Sequence, residues 1–177
     1  SFTTNYDDFF KIEVITNSIY ASFVGTFATV FLAIPIAFLI SKHKSTFSKT
    51  IEKISYIGFV LPGIVVALAV VYFGINFAMP IYQTIMLLAI GYLILFIPVA
   101  IGIIKPVVSQ INPKLEESAK SLGASNFKIW QKINFPSMAP GITGAFILVF
   151  ILIMKELPAT LILAPLSFNT LATSIWT

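Results

Sequence analysis

Cysteine and arginine are absent from this 177-residue sequence, histidine occurs once, and charged residues make up only 10%. Without cysteine there is no disulfide, no thiolate chemistry and no Cys-based metal site, and redox usage says nothing about compartment. The one histidine, His43, stands among lysines, where a solvated loop residue is the simplest account. No ionisable groups converge as a membrane-embedded enzyme would need, so neither metal nor other cofactor is expected. A Gly-x-x-x-x-Gly-Lys-[Ser/Thr] phosphate loop is also missing, so any ATP hydrolysis lies on another polypeptide. So little charge, against roughly 25% in an ordinary soluble domain, all but excludes a water-soluble globule.

What is present is hydrophobic: 58% of residues, with a mean hydropathy of +0.96. Uncharged runs of 28, 51 and 22 residues separate Glu13 from Lys42, Lys53 from Lys105 and Lys132 from Lys155. Each meets or exceeds the roughly 20 residues needed to cross a hydrocarbon core. As one helix the longest run would extend about 76 Å, so it folds back, and Asn76, Met79-Pro80 and Gln83 mark the break. The expected fold class is an all-α polytopic membrane helical bundle. A lead-in at 1–17 precedes spans at about 18–40, 55–77, 84–104 and 141–156. Asn17 is the expected cap of the first span. Pro35, Pro62 and Pro98 read as kinks or packing points, with a hinge the alternative for Pro62 and Pro98. Tyr72, Phe73, Phe77 and Tyr82 read as an interfacial belt.

The lysines orient this bundle. Nine of eleven fall in two loops, Lys42, Lys44, Lys49 and Lys53 in one and Lys105, Lys114, Lys120, Lys128 and Lys132 in the other, while the loop between spans two and three has none. The positive-inside rule makes both loops cytoplasmic. The N-terminus, with Asp7, Asp8 and Glu13, then faces outward. It lacks the basic start of a signal peptide.

The long cytoplasmic segment, 105–139, is patterned as two short helices. Asn112-Pro113 is a cap followed by proline at the first helical position. Leu115, Ala119 and Leu122 recur on one face, and Gly123 stands where a left-handed cap is wanted. Ser125 caps a second helix carrying Phe127 and Trp130 on one face, and Pro136 is expected to end it. A DNA-reading helix pair has the same outline, but a segment tethered to the bilayer at both ends, with two lysines and an aromatic face on its second helix, does not suit nucleic acid. An amphipathic pair lying on the membrane is the plainer alternative.

The string Glu117-Ser118-Ala119, three residues, Gly123, nine residues, Ile133, one residue, Phe135-Pro136 resembles the signature loop of ABC importer permeases, written EAA, G, I-x-L-P. Ser118 stands for an alanine and Phe135 for a leucine. The resemblance implies a type I, MetI-like permease fold in a bacterial inner membrane, with this loop docked as a coupling helix on a cytoplasmic ATPase dimer. Glu117 would then be a polar anchor, with Leu122 and Ala124 as apolar contacts. It also implies a periplasmic or surface substrate-binding protein, a second permease bundle on the same chain or in a homodimer, and membrane lipid as partners.

Beyond the fourth span, Lys155-Glu156-Leu157-Pro158-Ala159-Thr160-Leu161, Pro165, Phe168-Asn169-Thr170-Leu171-Ala172 and Trp176 resemble the ferric-iron subgroup, in its second bundle. Thiamine and phosphonate permeases are neighbours, and a membrane scaffold without transport is the alternative of a different class. Segment 157–177 reads as re-entrant, and the chain reads as a bundle lacking its last span. Lys155, Glu156 and Pro158 are candidate path residues, Glu156 as the transient contact of a hard cation and Lys155 as its counterweight.

Overall fold

A computed structural model describes residues 12–43, 45–166 and 168–176. The lead-in up to residue 11, with Asp7 and Asp8, and Lys44 lie outside the described residues, as does the side chain of Trp176. All regular elements among the described residues are helical: α1 Ile12–Lys42, α2 Thr46–Val60, α3 Gly63–Phe77, a short 3-10 turn Met79–Ile81, α4 Ile85–Ser109, α5 Pro113–Ser121, α6 Asn126–Ile129, a wide turn Trp130–Asn134, α7 Phe135–Met154, α8 Pro158–Leu163 and α9 Leu171–Trp176.

The central helix is α4, packed against α1, α2, α3, α7 and α8. Its Leu87, Leu88, Tyr92, Ile101, Ile104 and Val108 are almost fully enclosed. The buried stripe of α1 is small and hydroxyl-bearing: Ser18, Ala21, Ser22, Gly25, Thr26, Thr29, Ala33 and Ala37. Small side chains let two backbones approach, which is how helices associate where water gives no hydrophobic drive. The opposite face of α1 exposes Phe23, Phe27 and Phe31, with the last two rings stacked 6.0 Å apart; that face suits lipid.

Three expectations are corrected. Asn17 is not a cap: α1 begins at Ile12, and the Asn17 amide instead donates to the Asn169 carbonyl at 3.2 Å. The second span, expected to kink or hinge at Pro62, parts there into two separate helices. Its halves α2 and α3 meet at 109°, because Leu61, placed before a proline, is extended at φ −86, ψ 136 and cannot continue the α-helix. Nor does Pro136 end the helix before it: a single apolar helix runs over Asn126–Met154. Phe135 N–H reaches back five residues to the Trp130 carbonyl. That wider turn makes room for a proline ring that would otherwise strike the carbonyl four residues earlier.

Candidate functional site

Both lysine-bearing loops gather at one end of the bundle, tied by ion pairs. Lys42, in the last turn of α1, meets Glu116 of α5 at 2.7 Å. Lys105 of α4 pairs with Glu52 of α2. The turn through Met79–Ile81 joins α3 to α4 at the opposite end.

The knob at the lysine-rich end is built from local signals. The Asn112 side chain accepts the Lys114 N–H at 3.0 Å and Ser125 accepts that of Lys128 at 3.3 Å, so each short helix has its start satisfied. Gly123 has φ +80, with its N–H on the Lys120 carbonyl at 2.9 Å and the Ala124 N–H on that of Ala119 at 3.0 Å. This paired closure is the Schellman stop, and it needs a residue at ease in the left-handed region.

The knob turns its apolar groups outward. Leu122 is 88% exposed and Phe127 73%, with Leu115 also exposed and Ala119 and Ala124 half-buried. Glu117 and Ser118 are exposed too. The carboxylate that fixes α5 to the bundle is Glu116, next to Glu117, whose expected role is toward the ATPase. Sequence reasoning missed it because its partner lies 74 positions away. At the base of the knob Ile133 is half-buried, and Phe135 packs on Trp130 with ring centroids 5.4 Å apart. An open apolar cleft of about 530 Å³ lies between α1 and this base, lined by Phe31, Pro35, Phe38, Trp130 and Phe135, with His43 at its rim.

The second candidate cluster lies in the link between α7 and α8. Lys155 is exposed, and no described residue pairs with its ammonium. Glu156 is half-buried; its carboxylate accepts the Ala159 N–H at 3.4 Å and lies against Gly63 at the start of α3. The Glu156 carbonyl accepts the Thr160 hydroxyl. Thr160 also shares a buried 2.6 Å contact with Tyr92. A hydroxyl has one proton, and that of Thr160 goes to the carbonyl, so Tyr92 is the donor to Thr160. Pro158 opens α8, where its missing N–H costs nothing.

Residues 14–177 match the family described as binding-protein-dependent transport system inner membrane component. The chain is 33% identical over 165 residues to the Fe(3+)-transport system permease protein FbpB 2 of Haemophilus influenzae, a match over 93% of this chain and 33% of that protein. It is 30% identical to the ferric transport system permease protein FbpB of Actinobacillus pleuropneumoniae, over 93% of this chain and 26% of that protein. The sulfate transport system permease protein CysT of Escherichia coli is 23% identical, over 92% of this chain and 66% of that one. The chain thus spans a third or less of the ferric permeases it matches. Among solved structures, the inward-facing methionine ABC transporter MetNI shares the fold, with a TM-score of 0.64 at 17% identity over 92% of this chain and 84% of that chain.

Proposed function

This chain belongs to the family of binding-protein-dependent transport system inner membrane components, and from that premise we propose that it is a permease domain driven by a separate ATPase. The observation that carries the coupling role is the rigid knob. It presents Leu122 and Phe127 to solvent while its other side is tied to α1 by Lys42 and Glu116. Apolar side chains at the tip of a pinned helix pair suit a groove on a cytoplasmic ATPase, and a rigid tip passes rotation to the spans. Glu117, Ser118, Ala119, Leu122, Gly123 and Ala124 form the docking part, with Ile133, Phe135 and Pro136 joining it to α7. The cleft along Phe31 and Phe135 is a face for the second permease bundle or for lipid.

Ferric iron is the cargo we favour, supported by the names of the two ferric permeases above and by the resemblance of the segment after the fourth span. Delivery falls to a substrate-binding protein outside the membrane. Lys155, Glu156 and Pro158 stand beside the path. Reconstituting the full-length protein with its ATPase and binding protein in liposomes tests this: ATP-dependent accumulation of ferric iron is expected. ATP-dependent accumulation of sulfate, thiamine or a phosphonate instead would remove the iron assignment and leave the permease standing.

A further inference from the structure

Where the two halves of the second span part, a carboxylate fills the gap. A Cβ built on Gly63 would stand 2.6 Å from the Glu156 Oε1 and 3.9 Å from Leu95 Cδ1. Leu95 lies about 15 Å along α4 from Ile85 and about 21 Å from Ser109, so this meeting point is near the middle of the span. Three elements converge on Glu156: the first residue of α3 and the start of α8, through Ala159 N–H, at its carboxylate, and α4 at its backbone carbonyl, through Thr160 and Tyr92. The first turn of α3 is the positive end of a 15-residue helix, where a carboxylate is favoured. In apolar surroundings such a chain of polar contacts is stronger than in water and costly to leave half-made.

We propose that Glu156 is a positioning residue: its carboxylate clasps the break at Pro62-Gly63 to the start of α8, while its backbone carbonyl reaches α4 through Thr160 and Tyr92, fixing the angle between α2 and α3 at mid-membrane, and it is not the group that meets the cargo. Gly63 is the other half of the clasp, since any side chain there would displace the carboxylate. The proposal rests on the permease reading only for its transport readout.

Spin labels at Phe59 and Leu68, both exposed and one on each half-helix, report the bend in the full-length protein in lipid nanodiscs, whether or not transport has been reconstituted. Glu156→Ala and Gly63→Ala should each broaden a narrow distance distribution. The double variant should be no broader than Glu156→Ala alone, because the oxygen that the new Cβ strikes is gone. Glu156→Gln, which keeps an acceptor oxygen for Ala159 N–H, should restore much of the narrow distribution. In uptake assays Glu156→Ala should lower the maximal rate about ten-fold, the scale of one lost charge-assisted hydrogen bond, with the half-saturating cargo concentration unchanged. An unaltered distance distribution in Glu156→Ala, or additive broadening in the double variant, would overturn the clasp. A rise in the half-saturating concentration with the distances unchanged would return Glu156 to the cargo. Absence of uptake by the wild type would count against the permease reading alone, leaving the distances to decide the clasp.

Discussion

At the scale of single residues, neighbours in sequence have parted roles. Glu116 and Glu117 are adjacent, yet one faces α1 and pairs with Lys42 while the other is exposed. Lys155 and Glu156 are adjacent too, and the carboxylate is engaged while the ammonium is exposed. For the first pair, on α5, helical geometry says that adjacent side chains point about 100° apart, while the second lies in the link between α7 and α8. Helical geometry does not say which one faces inward, and a single sequence carries no signal that joins Lys42 to Glu116. Gly123 was legible, because a glycine after an amphipathic turn asks for positive φ, and the backbone has it. The ion pair makes a direct test. Glu116→Lys in the complete transporter should cut ATP-driven uptake about three-fold, the scale of a partly exposed pair. Lys42→Glu added to it should restore the rate by reversing the pair. Failure of the reversal to rescue would show that Glu116 acts on something other than Lys42.

Elements were legible where local chemistry settles them and obscure where it does not. The caps at Asn112 and Ser125 were readable because a side-chain acceptor one residue before a helix has an obvious N–H to meet. The break at Leu61-Pro62 was ambiguous, since a membrane helix can bend over a proline or part at it, and only the packing of α3 against α8 and α4 decides. Pro136 was misread for a related reason: the rule that proline ends a helix assumes the four-residue register, and the five-residue turn at Trp130–Asn134 escapes it. This turn sets how the knob is rotated against α7. Pro136→Ala lets it relax to the ordinary register, which would swing α6 by about 100° about the helix axis. Uptake should then be lost while membrane insertion persists, measured on the same membranes. Full uptake by this variant would mean that the wide turn does not depend on the proline.

For the whole molecule, hydropathy and charge were independent signals, and the packing now adds a third. Ion pairs draw the two lysine-rich loops to one end of the bundle and the Met79 turn lies at the other, so positive-inside orientation makes a complete topological statement. Cysteines placed at Lys49 and Lys128, both exposed, should resist an impermeant thiol reagent applied outside intact cells, and one at Met79, 64% exposed, should react; the reverse pattern would invert the bundle. We propose that the knob turns nucleotide-driven motion into motion of the spans, and Gly123 is where it can be broken without removing a side chain of the docking part. A β-branched residue is strongly disfavoured at φ +80, and nothing crowds the site within 4 Å, so the defect of Gly123→Val is one of backbone direction alone. In the complete transporter this variant should insert normally, fail to co-purify with the ATPase and show no ATP-driven uptake. Normal co-purification together with normal uptake would contradict the coupling role.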